Sequence, residues 1–141
     1  MSFREKKAWA TIFALLVVFV PYYIFMVRAY HQSNTNFFYL VHLAALALST
    51  FVVLEVILVL AARKLSPEDI GIAKDERDQL FAFRAARAAY VTLITLLIVV
   101  TFLMIYIEGG SWGWGMLYLA AIICSEILRA SVLIVQYRRG Y

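Results

Sequence analysis

Four long apolar runs, at 8–27, 37–62, 88–107 and 116–137, take up most of this 141-residue chain. A helix needs roughly 20 apolar residues to cross a hydrocarbon layer of ~30 Å, and each run supplies about that many. The pattern therefore predicts an all-α membrane protein with four transmembrane helices in a single domain. The spans are expected at about 8–27, 37–62, 82–107 and 116–137, with a loop over 63–81. Composition agrees: 65% of residues are hydrophobic and 16% charged, against about 45–50% and 25% in soluble domains. The first run has a basic start, but it is longer than the ~7–15 residues of a signal-peptide core, and it reads as a membrane helix.

Charge sets the expected orientation. The basic residues fall at Arg4, Lys6 and Lys7, at Arg63, Lys64, Lys74, Arg77, Arg84 and Arg87, and at Arg138 and Arg139. All of these flank the runs on one side; of the 13 Lys and Arg residues only Arg28 and Arg129 fall elsewhere. The positive-inside rule then places both termini and the middle loop in the cytoplasm. The net charge of +4 reads as attraction to anionic lipid at that leaflet, and no nucleic-acid partner is expected.

Aromatic residues mark the opposite boundary. Tyr22, Tyr23, Tyr30, Phe37, Phe38 and Tyr39 flank the first outer loop, and Tyr106, Trp112, Trp114 and Tyr118 the second, as rings that favour the headgroup layer do. Trp9 and Tyr137 read as inner anchors. Residues 108–115 (EGGSWGWG) form an expected glycine-rich turn. It lacks the Gly-Lys-Ser/Thr ending of a phosphate loop. Pro21 removes one backbone donor and is expected to kink the first helix. The lone cysteine, Cys124, permits no intramolecular disulfide.

The segment after the second run is the richest in polar groups. Ser66, Pro67, Glu68 and Asp69 read as the start of a short helical turn that Gly71 ends. Residues 74–78 (KDERD) then open a long helix that runs into the third span. Arg77, Arg84 and Arg87 lie on about one face of it at ~100° per residue. Asp75, Glu76, Arg77, Asp78, Arg84 and Arg87 thus form a candidate docking surface for a cytosolic protein or for lipid headgroups. The bland alternative is a charge-balanced turn with snorkelling arginines. The acids there alternate with cations and suggest no metal site.

His42, Glu55, Glu126 and Arg129 fall within the apolar runs, where unpaired charge costs about 2.5–3.5 kcal/mol on insertion scales. Counted along its own helix, Glu55 lies ~12 Å inside Arg63, and Arg129 lies ~13 Å inside Arg138. Equal depth predicts a cluster of Glu55, Glu126 and Arg129, with Glu126 and Arg129 also close enough to pair on one helix. The competing reading is an ion-coupled carrier in which Glu55 or Glu126 titrates. His42 is turned ~140° from Glu55, so the two do not line one path. It reads as an isolated, hydrogen-bonded histidine, since His31 is expected in a loop. Small residues such as Ala44, Ala45, Ala120 and Ala121 permit close helix approach and leave a homodimer open.

No nucleophile elbow, nucleotide loop or His/Cys metal spacing occurs, so neither an enzyme nor a cofactor is expected. The start MSFREKKAW at 1–9, the PYY at 21–23, the DERD at 75–78 with Arg84, Arg87, Ala89 and Tyr90, the SEILR at 125–129 and the YRRG at 137–140 occur in that order. In this the whole chain resembles an uncharacterised family of small four-helix bacterial inner-membrane proteins. The resemblance implies the bacterial inner membrane and the orientation above, and makes Glu126 and Arg129 part of a family motif. It implies no substrate. The function expected is a non-enzymatic sensing, regulatory or scaffold module with a cytoplasmic docking segment; the alternative is a small ion-coupled transporter or exporter.

Overall fold

A computed structural model describes residues 3–31, 36–65, 76–106 and 111–139. These form four helices: α1 (Phe3–His31), α2 (Phe37–Lys64), α3 (Glu76–Tyr106) and α4 (Ser111–Arg139). Each is long and apolar enough to cross a membrane, which marks a multi-pass membrane protein. The chain divides into two units, Met1–Ile70 and Gly71–Tyr141. Each is an antiparallel pair, α1 with α2 and α3 with α4.

Local chemistry sets the helix ends. Asn36 caps α2, its Oδ1 accepting a hydrogen bond from the Phe38 amide at 3.2 Å, which satisfies one of the amides left over in a first turn. At the other end Arg63 and Lys64 occupy the last turn, where the helix carbonyls favour cations. The Leu65 amide closes that end onto the Ala61 carbonyl at 3.0 Å. The expected long lead-in to the third span is present, since α3 is helical from Glu76 onward. Ser66 to Asp75 lie outside the described residues.

Two expectations from sequence change. Ser111 to Gly115 are helical, the start of α4 rather than part of a turn. A cost of about 1 kcal/mol per glycine in a helix is readily outweighed when the helix is held along its length by a neighbour. His31 ends α1 rather than lying in a loop. Helix α1 also runs through Pro21, although proline leaves the carbonyl four residues earlier without its helical donor.

Inside the first unit, the Phe19 ring packs at a tilt against Phe51 (centroids 5.8 Å apart) and the Phe25 ring against Tyr39 (6.5 Å). At the basic end the Lys6 ammonium donates to the Leu65 carbonyl at 3.1 Å. Buried residues of α1 include Ala8, Thr11, Leu15, Phe19 and Met26, spaced by three, four, four and seven along one helical stripe. In the second unit, the Tyr137 ring meets the Phe81 ring edge-on at 5.5 Å. Further along, the Tyr118 hydroxyl lies 3.3 Å from that of Thr101. The Thr101 hydroxyl itself donates to the Leu97 carbonyl at 2.7 Å, so Tyr118 is the donor to Thr101.

Candidate functional site

Each hairpin holds a local arrangement of the polar residues within its own spans. In the first unit, the Thr11 hydroxyl donates to Glu55 Oε1 at 3.0 Å and lies 3.2 Å from the Lys7 carbonyl of its own helix. Thr11 is 5% exposed, so the contact sits within the α1 stripe that packs on α2. Glu55 thus shares the level of Thr11, four residues and ~6 Å along α1 from Lys7. In the second unit, Arg129 reaches Glu126 through two nitrogens, Nε at 2.8 Å and a terminal nitrogen at 2.7 Å, both to Oε2. This is the expected pair three residues apart on one helix. Each half of the expected cluster therefore finds a partner inside its own hairpin.

Register places these residues more finely than counting along one helix. Twenty residues separate Phe81 from Thr101, and nineteen separate Tyr118 from Tyr137. The two helices keep nearly constant antiparallel register between those contacts. Arg129 then lies level with Ala89 and Tyr90, only two or three residues past Arg87. Glu55 and Arg129 thus each lie about one turn from basic residues of the neighbouring helix, Lys7 and Arg87. The ~13 Å from Arg138 to Arg129 along α4 is mostly length that α4 runs beyond the level of Arg87.

The candidate docking residues also separate by level. Asp78 lies on the same face of α3 as the buried Phe81, Ala85 and Ala89, and its Oδ1 accepts from the Tyr137 hydroxyl at 3.0 Å. Its role is to join α3 to α4. Tyr137, expected as a membrane anchor, is the other half of that joint. The Arg77 guanidinium sits 5.2 Å from the centroid of the Phe81 ring, a cation–π distance. Glu76, Arg84 and Arg87 are exposed. Asp75 lies outside the described residues.

His42 is exposed, and its Nδ1 lies 2.6 Å from the Phe38 carbonyl one turn back. A carbonyl only accepts, so Nδ1 is the donor in this contact. Among the described residues no three His, Cys, Asp or Glu side chains are grouped to hold a metal ion.

Two participants had no sequence signal of their own. Thr11 is one of several threonines in apolar runs, and only the rotation of α1 against α2 selects it. Gln136 has a buried Oε1 with no partner among the described residues; a glutamine near a basic helix end ordinarily reads as solvated. Comparison with protein-family models, with curated proteins and with solved structures gave no match.

Proposed function

We propose that this chain is a non-enzymatic module of the bacterial inner membrane that holds a cytosolic protein on the protruding end of its α3–α4 hairpin. Both termini and the segment over 63–81 lie in the cytoplasm on this reading, as the one-sided distribution of Lys and Arg supports. The ordered motifs from MSFREKKAW to YRRG support the bacterial assignment.

One observation carries the proposal. Tyr106 to Arg87 is nineteen residues, ~28 Å of helix and nearly the whole of a ~30 Å hydrocarbon layer. Helix α3 continues for eleven residues past Arg87 to Glu76, a further ~16 Å. Over that length it remains stapled to α4 by the Asp78–Tyr137 hydrogen bond and the Phe81–Tyr137 ring contact. A paired helical extension with Glu76, Arg77 and Gln79 exposed is a rigid surface of the kind a partner recognises. The carboxylates an ion-coupled carrier would use are both engaged, Glu126 by Arg129 and Glu55 by Thr11, which supports a standing structural role for them.

The test places a photo-crosslinking amino acid at Gln79 and, as a control, at Ile105 of the other end, in living cells. The expected result is one discrete protein adduct at Gln79 and none at Ile105, reduced by Glu76→Lys with Arg77→Glu. No protein adduct at Gln79, or adducts that ignore the charge reversal, would overturn the docking role.

A further inference from the structure

One face of α3 has a composition the docking proposal does not use. Arg84 and Arg87 are three residues apart, neighbours on the helix surface. Both are exposed, and neither has a partner among the described residues. At ~100° per residue they point away from the face that holds Asp78, Phe81, Ala85 and Ala89. Phe83 and Tyr90 flank them, 65% and 66% exposed. One turn further on, the same face becomes wholly apolar, with Val91, Ile94 and Ile98 at 56%, 39% and 51% exposure. Ile98 is eleven residues from Arg87, ~16 Å, about half of a ~30 Å hydrocarbon layer.

We propose that this face seats one anionic phospholipid, its phosphate between the Arg84 and Arg87 guanidiniums and an acyl chain along Val91, Ile94 and Ile98. Arginine presents a planar fork that fits phosphate oxygens, and two forks one turn apart hold a phosphate from two sides. Aromatic rings beside the pair favour the headgroup layer. The apolar strip continues on the same face into the hydrocarbon layer for about one leaflet, so a single lipid meets both the arginines and the strip, whereas a soluble protein reaches only the arginines. Arg77 is excluded from this seat: it lies ten residues from Arg87, ~15 Å further along the helix, and is drawn onto Phe81. The seat needs only that α3 spans the bilayer, so failure of the docking proposal leaves it standing.

The experiment uses the full chain reconstituted with equal amounts of phosphatidylglycerol and phosphatidylcholine, released into mild detergent and weighed intact by native mass spectrometry. The expected result is one retained phosphatidylglycerol per chain in preference to phosphatidylcholine. Arg84→Gln and Arg87→Gln should each weaken retention about fivefold, the effect of removing one basic residue near an anionic surface. Arg77→Gln should leave it unchanged. Arg84→Lys with Arg87→Lys keeps the charge and loses both forks, so it should fall between the parent chain and the double glutamine variant, and circular dichroism checks that each variant keeps its helices. Equal retention of the two lipids, or full retention in folded Arg84→Gln with Arg87→Gln, would overturn the proposal. Displacement by inorganic phosphate would assign the arginines to a free anion, and displacement by polyglutamate would assign them to an acidic protein; either would overturn the lipid seat.

Discussion

At the scale of single residues, the Glu126–Arg129 pair was legible because it depends only on helix geometry: any two side chains three apart on a helix are neighbours. The partner of Glu55 was not, because finding Thr11 requires both the register and the rotation of α1 against α2. That contact is open to measurement. Thr11→Val keeps the shape and removes the donor, leaving a carboxylate oxygen in an apolar interface without its hydrogen bond. Hydrogen bonds between membrane helices average about 0.6 kcal/mol and reach about 1.7; with a carboxylate as acceptor, a loss of about 1 kcal/mol is expected. Glu55→Gln keeps a side-chain oxygen that the Thr11 hydroxyl can reach and should cost less. Unfolding in detergent, followed by circular dichroism, ranks the two variants, and equal stabilities would remove the contact from the account. Gln136 makes the opposite case. A buried polar atom without a partner carries its desolvation cost uncompensated, and replacing such a group by an apolar one of similar shape is neutral or stabilising. Gln136→Leu should therefore match or exceed the parent chain in the same assay, by up to about 1 kcal/mol. A clear loss would mean that the Gln136 side chain makes a bond outside the described residues.

At the scale of elements, hydropathy located all four helices, because length and apolar content are properties of one segment alone. It placed the start of α4 too late, since glycine in 108–115 reads as a turn when local preference is the only guide, whereas Ser111 to Gly115 are helical. Hydropathy also had no means of finding the second part Tyr137 plays, in which the ring rests on Phe81 and the hydroxyl bonds Asp78. Tyrosine carries an apolar body and a polar tip, and both a headgroup layer and a helix–helix joint satisfy that pair of demands; only the neighbouring element decides between them. The two parts of the joint can be separated. Tyr137→Phe keeps the ring contact and loses the hydrogen bond, whereas Tyr137→Ala loses both. Amide hydrogen exchange over residues 76–86 should rise several-fold in Tyr137→Phe, for a bond worth roughly 1 kcal/mol, and substantially more in Tyr137→Ala. The apolar part of α3 beyond Val91 should be unaffected in both, since a local opening is confined to the turns that lose their contacts. Uniform exchange along α3 would show that the extension and the span open as one unit.

At the scale of the whole molecule, the docking role requires the Glu76 end of α3 to face the cytoplasm, and this has a direct measurement. Lys6, Lys7, Arg63 and Lys64 flank the spans of the first hairpin, and Arg77, Arg138 and Arg139 those of the second; the positive-inside rule reads such a bias as the cytoplasmic side. The chain also permits a clean labelling experiment. Cys124 is its one cysteine and is not in a disulfide, so Cys124→Ser gives a background without thiols. A Cβ added at Gly113 meets nothing within 4 Å, so Gly113→Cys introduces a probe near one end of α4 without displacing a neighbour. Gln79→Cys places the matching probe on the exposed extension of α3. In intact bacterial spheroplasts a membrane-impermeant maleimide should label Gly113→Cys and spare Gln79→Cys, which becomes reactive once the membrane is opened. The reverse pattern would put the extension of α3 outside the cell, where no cytosolic partner can reach it. The seat at Arg84 and Arg87 would survive that reversal, since its lipid would then come from the outer leaflet, whereas the docking role would not. Orientation is therefore the measurement on which the two proposals part.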